Sequence, residues 1–256
     1  MGGRPRSPRR LLLALYARPA MVFGLGALAL ICLAWLPWAL LLNLLLPAER
    51  GRRLGRRAIM VGFRLYLRFL ELGCGCRFDL AALDRLRHEP ALVLVANHPS
   101  LLDAVMIISR LPNVVCVMKA GLMDNLLFGA AARLAGYIRN DAPLAMILDA
   151  REELQRGAHL LIFPEGTRTV EFPLNPCTNS AGLIAERSAT PVQSLLIDFS
   201  SPYLGKAWPL FRPPELPLRF AIRLGRRFDP PKDVPAFTRD LESHFRAELA
   251  QCGGLS

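Results

Sequence analysis

The sequence predicts an α/β fold with a mixed, largely buried central sheet flanked by helices. An N-terminal helical segment embedded in a membrane is expected before it. Three observations support this prediction. Short apolar, β-rich runs alternate with helical stretches over most of the chain. A long uncharged run precedes them near the N-terminus. The hydrophobic content of 52% is also high for a water-soluble domain.

Residues 1–20 form a basic N-terminal tail, and an uncharged run from Met21 to Pro47 follows it. As one helix this run would be roughly 40 Å long, enough to cross a bilayer core. It is too long for a signal-peptide core, so we expect it to be retained. Two interpretations of residues 21–48 are open. The length fits a single membrane helix, whereas Pro37 and the arginines on both flanks favour a helical hairpin with both ends on the cytoplasmic face.

Residues 51–72 are predicted to form a basic amphipathic helix at a membrane surface. Five arginines fall within about 120° of one another on a helical wheel, and apolar side chains fill most of the rest. These arginines are Arg53, Arg56, Arg57, Arg64 and Arg68. The alternative is an ordinary surface helix whose basic face is solvated.

The net charge of +11 is concentrated at the N-terminal end of the chain. Residues 1–68 contain twelve arginines and one acidic residue, so the remaining residues are neutral overall. A nucleic-acid-binding protein would carry its basic residues on the folded domain. The distribution therefore indicates an anionic membrane surface as the partner, and no nucleic acid.

Residues 73–256 are predicted to form the catalytic-type α/β domain. Its strands are expected at 91–96, 114–118, 160–163, 191–199 and 220–224, and its helices at 101–110, 122–135, 142–156, 181–187 and 236–250. The proline-rich stretch from Ser201 to Pro217 is predicted to be an irregular excursion.

The six cysteines lack the paired motifs of a zinc site, and no histidine has a metal-binding partner at a suitable spacing. The cysteines are Cys32, Cys74, Cys76, Cys116, Cys177 and Cys252. We therefore expect neither a metal nor a cofactor, and a domain that faces the reducing cytoplasm.

The first candidate motif is Asn97-His98-Pro99-Ser100 with Asp103, directly after an apolar strand. Five residues on one straight helix would place His98 and Asp103 about 140° apart. They can meet if His98 lies on the turn before the helix, and Pro99 favours a helix that begins there. A carboxylate on one imidazole nitrogen leaves the other nitrogen free to accept a proton.

The second motif, Phe163-Pro164-Glu165-Gly166-Thr167-Arg168, also follows an apolar strand. Together the two motifs resemble the lysophospholipid acyltransferase family, whose hallmark is NHxxxxD followed by FPEGTR. The resemblance implies that His98 is the general base on an acceptor hydroxyl and that Asp103 orients it. The hydroxyl would attack an acyl thioester directly, without a covalent acyl-enzyme. Ser100 as a nucleophile is the less favoured alternative.

The resemblance also implies which residues bind the substrate. Glu165, Gly166, Thr167 and Arg168 would form the acceptor-binding turn, with Glu165 holding Arg168 or a glycerol hydroxyl. Lys119 and Arg139 are further candidates for binding the acceptor.

The chain departs from the family pattern near these residues. Gly121 replaces a family Glu, Asp141 is followed by Ala142, and the expected basic residue after Arg168 is missing from residues 176–180. The first expectation for the acceptor is 1-acyl-sn-glycerol-3-phosphate, in phospholipid biosynthesis. A specialised acceptor such as a lyso-ornithine lipid or a polyene lipid, or a non-catalytic membrane adaptor, are the alternatives. The expected partners are membrane lipids, a lyso-lipid acceptor and an acyl-CoA or acyl-carrier-protein donor, at the inner membrane with the domain facing the cytoplasm.

Overall fold

The structure is a computed structural model, and it describes residues 8–209 and 212–251. Part of the predicted basic tail, with Arg4 and Arg6, lies outside the described residues, as does Cys252. The helices are α1 (Pro8–Leu45), α2 (Ala48–Gly73), α3 (Leu102–Arg110), α4 (Ala120–Met123), α5 (Leu126–Ala135), α6 (Pro143–Gln155), α7 (Ser180–Ser188) and α8 (Val234–Gln251). The strands are β1 (Cys76–Asp79), β2 (Val93–Ala96), β3 (Val114–Met118), β4 (Ile138–Arg139), β5 (His159–Ile162), β6 (Val192–Phe199) and β7 (Leu218–Phe228).

The described strands form one mixed sheet of seven in the order β1-β7-β6-β2-β5-β3-β4. Strands β6, β2, β5, β3 and β4 are mutually parallel, and β7 with β1 runs the opposite way. The predicted α/β class with a mixed central sheet is confirmed. The carboxyl ends of the five parallel strands meet at one edge, and both candidate motifs leave the sheet there.

Two apolar layers cover the two faces of the sheet, because neighbouring strand residues point in opposite directions. Leu94 and Ala96 face a layer that includes α2 and α3. Val93 and Val95 face the other layer, which includes α6, α7 and α8. All four residues of β2 are buried, as expected for a central parallel strand.

The structure contains elements that were not predicted, among them a 3-10 helix at Ala81–Leu86, and it divides one predicted helix. The short strands β1 and β4 were not predicted. The helix expected over 122–135 is two helices, because the side chain of Asn125 accepts a hydrogen bond from the amide of Leu127 and caps a new helix start. The described part of the excursion, residues 201–209 and 212–217, contains no helix or strand, which agrees with the prediction.

Helix α1 does not reverse at Pro37, as the hairpin interpretation required. An interior proline removes one backbone hydrogen bond but does not force a turn, and the flanking Leu36 and Ala39 pack against α5. The chain reverses instead at Leu46-Pro47, and α2 returns antiparallel to α1. The long apolar part of α1, Leu15–Leu45, has the length and composition of a membrane span and is 6% buried over its most apolar window.

Helix α2 packs on the domain, so its basic face is divided. Arg56 is 5% exposed and forms an ion pair with Glu153 of α6. Arg64 donates two hydrogen bonds to the carbonyl of Ser109. Arg53, Arg57 and Arg68 are exposed. The helical wheel placed these five arginines on one face but could not show that two of them contact protein.

Candidate active site

His98 and Phe163 lie side by side, because β2 and β5 are adjacent parallel strands and each residue follows the end of its strand. The imidazole and the phenyl ring are stacked, with centroids 3.8 Å apart and planes 15° from parallel. This contact fixes the plane of the imidazole. The histidine side chain keeps 18% exposure, and its Nε2 has no hydrogen-bond partner among the described residues.

Asn97 fixes the loop that carries His98, a role that the sequence did not reveal. Its side-chain nitrogen donates to the carbonyl of Ile197 at 3.0 Å, and its side-chain oxygen accepts from the amide of Ile197 at 2.8 Å. The amide side chain thus continues the pairing of β2 with β6 beyond the strand end. An Asn after a buried strand was the only available signal, and it is a weak one.

His98 and Asp103 are hydrogen-bonded, with 2.8 Å between Nδ1 and Oδ2. The helix begins at Leu102, so His98 lies on the preceding turn and Asp103 in the first turn, which is the arrangement that the five-residue spacing required. The amide of Ser100 donates to the same Oδ2 at 2.8 Å. With Nδ1 donating to this carboxylate, the acceptor lone pair of a neutral imidazole is on Nε2.

Asp103 is fully buried, and burial raises its pKa while the hydrogen bonds from His98 and Ser100 oppose that rise. Its Oδ1 has no hydrogen-bond partner among the described residues. A carboxylate held in this way is costly to the fold, which is typical of a functional group rather than a structural one.

Ser100 is 1% exposed, and its hydroxyl oxygen accepts a hydrogen bond from the amide of Leu102. No hydrogen bond joins this hydroxyl to the imidazole of His98 in the described part of the chain. A nucleophilic serine needs both exposure and a base within reach. The geometry therefore favours a role for Ser100 at the start of α3 and not as a nucleophile.

Glu165 connects the second motif to the first through a hydrogen bond with the backbone of His98. Its side chain is buried, at 6% exposure. Its Oε1 accepts from the amide of His98 and from the hydroxyl of Thr169, both at 2.8 Å, and its Oε2 accepts from the amide of Asn175 at 2.9 Å. Burial raises the pKa of this carboxyl, and the three hydrogen bonds oppose that effect. The expected contact of Glu165 with Arg168 is wrong, because the carboxylate points inward to these donors.

Arg168 holds the excursion against the site. Its Nη1 donates to the carbonyls of Leu204 and Gly205 at 2.8 and 2.9 Å. The preceding turn depends on Gly166, which has φ of +67° and donates its amide to the carbonyl of Phe163. Gly166 is exposed and Thr167 is half-buried, so both border the site.

Lys119 and Arg139 lie at the same edge of the sheet but farther from His98. Lys119 follows β3 and Arg139 is the last residue of β4. These strands are two and three positions from β2 in the sheet, which corresponds to roughly 10 and 14 Å at the usual strand spacing. Lys119 is exposed. Arg139 forms ion pairs with Asp124 at 2.6 Å and with Asp141 at 2.8 Å, so its charge is already balanced within the protein.

Comparison with known proteins gives the site its context. A protein-family model described as Acyltransferase matches residues 77–198, which run from β1 to Asp198 in β6 and include both candidate motifs. The chain is 25% identical over 209 residues to human 1-acyl-sn-glycerol-3-phosphate acyltransferase alpha, covering 79% of this chain and 73% of that protein. It is 27% identical over 135 residues to a 1-acyl-sn-glycerol-3-phosphate acyltransferase of Helicobacter pylori, covering 48% of this chain and 57% of that protein.

The fold is also similar to a solved structure. The crystal structure of the 1-acyl-sn-glycerophosphate (LPA) acyltransferase PlsC from Thermotoga maritima superposes with a TM-score of 0.64 at 18% identity. The match covers 97% of this chain and 98% of that chain, so the similarity includes the N-terminal helices. The family match and the curated relatives support one conclusion: the chain is an acyltransferase that is similar to the 1-acyl-sn-glycerol-3-phosphate acyltransferases.

Proposed function

We propose that the protein transfers a fatty acyl group from an acyl thioester to the free hydroxyl of a lyso-lipid, with His98 as the general base. The observation that carries this proposal is the hydrogen bond between His98 Nδ1 and Asp103 Oδ2, which leaves Nε2 without a partner in the described part of the chain. General-base catalysis by such a histidine contributes about 10²–10⁴-fold to the rate.

The reaction needs no covalent enzyme intermediate. His98 Nε2 takes the proton of the acceptor hydroxyl while the hydroxyl oxygen attacks the thioester carbonyl carbon. The buried carboxylate of Asp103 stabilises the imidazolium that forms. The tetrahedral intermediate then collapses, the carbon–sulfur bond breaks, and the imidazolium returns the proton to the thiolate. The products are an ester and a free thiol, and the histidine is neutral again.

The acceptor proposed first is 1-acyl-sn-glycerol-3-phosphate, which places the enzyme in phospholipid biosynthesis. The names of the human and Helicobacter pylori relatives support it. A lyso-ornithine lipid or a polyene lipid is the second candidate, favoured by the altered residues Gly121 and Ala142 and by the stretch 176–180. The donor is an acyl-CoA or an acyl carrier protein. A non-catalytic adaptor is disfavoured, because it would have no use for a buried aspartate that is hydrogen-bonded to a partly exposed imidazole.

Helix α1 lies in the plane of one leaflet of the inner membrane, with the domain in the cytoplasm. The helix contacts the domain near both ends, since Cys74 approaches the carbonyl of Ala20 and Asn43 donates to the carbonyl of Ala130 at 3.0 Å. These contacts are 23 residues apart, or about 35 Å along the helix. A transmembrane α1 would therefore carry the charged helix α2 into the hydrocarbon, which is costly.

An acceptor panel tests the function. Purified enzyme in detergent is incubated with labelled acyl-CoA or acyl carrier protein and with lysophosphatidate, lyso-ornithine lipid or a neutral monoacylglycerol. Turnover with lysophosphatidate supports the first acceptor, and turnover with lyso-ornithine lipid alone supports the second. Absence of turnover with every pair of substrates would contradict the proposed activity.

A further inference from the structure

Four arginines meet at the end of α3 that lies opposite the catalytic edge of the sheet. We call them the arginine cluster: Arg64 and Arg68 belong to α2, Arg87 precedes β2, and Arg110 ends α3. Helix α3 starts just after the loop that carries His98, and its nine residues return the chain to the start of β3, about 13 Å away. The cluster is therefore separate from the catalytic site.

Hydrogen bonds hold three of these side chains at the carboxyl end of α3. Arg64 donates through Nε and Nη2 to the carbonyl of Ser109 at 3.2 and 3.1 Å. Arg87 donates through Nε to the carbonyl of Arg110 at 3.0 Å. The guanidinium of Arg110 pairs with Asp84, which lies 3.8 Å from Arg87. Because the carboxyl end of a helix is partly negative, these contacts explain how three cations are held close together.

The cluster carries more positive charge than its protein partners balance. Asp84 is the one acidic residue that forms an ion pair with the cluster in the described part of the chain, so the group has a net charge of +3. Burial lowers the pKa of Arg64, and the positive charges of the other three arginines lower it further. Both effects disfavour the charged guanidinium, and a bound anion would offset them.

The cluster also keeps hydrogen-bond donors for a ligand. Nη1 of Arg64 and both terminal nitrogens of Arg87 have no hydrogen-bond acceptor among the described residues. Arg68 is exposed, and within the described chain neither it nor Glu71, three residues on, forms an ion pair. The contacts at the end of α3 explain neither Arg68 nor these free donors. Planar guanidinium groups bind phosphate oxygens in pairs, so the donor set fits a phosphate.

An apolar stripe on α2 places the cluster at the surface of a bilayer. Four exposed apolar residues of this helix fall within about 40° of one another on the helical wheel. They are Leu54, Val61, Leu65 and Leu72. On the wheel, Arg64 and Arg68 lie between this stripe and the buried side of the helix. When the stripe enters the acyl region, these arginines are at the depth of the lipid phosphates.

We propose that the arginine cluster binds the phosphate of an anionic phospholipid in the leaflet that holds α1. This lipid is a structural ligand and not a substrate, because the cluster and His98 lie at opposite ends of α3. The bound phosphate joins α2 to α3 and to the segment before β2, and so fixes the rotation of the domain about the axis of α1. The proposal rests on the interfacial position of α1 proposed above and not on the identity of the acceptor.

Native mass spectrometry of the full chain in a non-ionic detergent tests the site, because it counts bound lipid molecules. With equal amounts of phosphatidylglycerol and phosphatidylcholine added, the wild type should retain one phosphatidylglycerol in preference to phosphatidylcholine. The double variant Arg68→Gln/Arg87→Gln should bind it about tenfold more weakly or worse. The matched control Arg53→Gln/Arg57→Gln loses the same charge from exposed positions of α2 and should bind it like the wild type.

Three outcomes of this experiment would overturn the site. An equal loss of lipid in the control variant would show diffuse attraction to α2. Equal retention of phosphatidylcholine would show that the anionic head is not recognised. Displacement of the lipid by inorganic phosphate at millimolar concentration would show a site for a free anion.

The single variant Arg68→Gln keeps the test decisive if the double variant unfolds, because Arg68 has no hydrogen-bond partner within the described residues. Its affinity for phosphatidylglycerol should fall about fivefold, and an unchanged affinity would contradict the proposal. In the detergent assay its KM for acyl-CoA and for the lyso-lipid should match the wild type. A raised KM for either substrate would place the cluster in substrate binding instead. Retention of phosphatidylglycerol without any acyl transfer would refute only the proposed function.

Discussion

The backbone amide of His98 donates a 2.8 Å hydrogen bond to Oε1 of Glu165, so the two sequence motifs are joined directly. The residues are 67 positions apart and follow adjacent strands. Glu165 also holds Thr169 and Asn175, which belong to the loop that follows it. The glutamate of the second motif therefore positions the histidine of the first motif and the loop that contains Thr169 and Asn175.

Replacing Glu165 by Gln should loosen both loops. The new amide nitrogen would face a backbone or hydroxyl donor in a buried place, at a cost of about 2 kcal/mol. We expect the Tm to fall by roughly 4–8 °C and kcat to fall about tenfold or more. Thermal unfolding and initial rates check this, with exposed Glu171→Gln as the control. A large loss of activity at an unchanged Tm would instead place Glu165 in direct contact with the substrate.

Replacing Asp103 by Asn should separate activity from stability. The amide cannot stabilise an imidazolium and favours the wrong tautomer, so kcat should fall about 10³-fold or more. Because burial raises the pKa of Asp103, the folded state binds its proton more tightly than the unfolded chain does. Ionisation of Asp103 therefore lowers the unfolding free energy as pH rises from about 4, the ordinary Asp value, through the raised one.

The Asp103→Asn variant has no carboxyl to ionise at this position, so it does not lose unfolding free energy in this way as pH rises. The Tm difference between Asp103→Asn and the wild type should shift in favour of the variant as pH rises from 4 to 8. Melting curves across that range measure it, with exposed Asp149→Asn as the control. A Tm difference that is constant with pH would show that Asp103 does not titrate as its burial requires.

The two sides of α2 should respond differently to arginine substitutions. Arg56→Ala removes the most deeply buried of the three arginines that pair with Glu153, while Arg52 and Arg156 remain. We therefore expect a loss of about 2 kcal/mol in unfolding free energy. Arg53→Ala and Arg57→Ala should leave the Tm unchanged. Each should weaken binding to anionic vesicles by about 1 kcal/mol, measured by flotation. If Arg56→Ala, Arg53→Ala and Arg57→Ala all weakened vesicle binding equally, α2 would not have one side on the domain and another on the membrane.

The in-plane position of α1 can be measured with spin labels. Leu15, Leu30 and Leu44 share the outward side of the helix and are 68%, 68% and 83% exposed. With the native cysteines replaced, labels at these positions should report similar depths within one leaflet. A label at Leu30 that is much deeper than the other two, or a Leu15 site modified by an impermeant reagent from outside the cell, would indicate a span.

Local patterns predicted much of the geometry of the two motifs. The apolar runs before His98 and Phe163 indicated strands, and the five-residue spacing required that His98 precede the helix that carries Asp103; the structure has both features. The order of β2 beside β5 depends on long-range pairing, which neither run encodes alone. The stacking of Phe163 on His98 follows from that order and was invisible in the sequence.

The predictions for Glu165 and α2 failed in part for one physical reason. A charged residue in a motif was expected to face a ligand, but burial against the domain decided its direction. Glu165 turns to three donors beneath the site, and Arg56 turns to Glu153. Arg168 likewise donates to the carbonyl of Leu204 in the excursion and does not face open space. This contact could not be predicted, because a proline-rich segment has no periodicity from which to infer which residues it contacts.

The most direct test of the central claim is the rate of acyl transfer by the His98→Ala variant. Purified wild type and variant are given the same labelled acyl thioester and lyso-lipid, with thermal unfolding as the check on folding. The claim predicts a fall of about 10²–10⁴-fold in kcat at an unchanged Tm. A folded variant that retained near wild-type activity would contradict the claim that His98 is the general base.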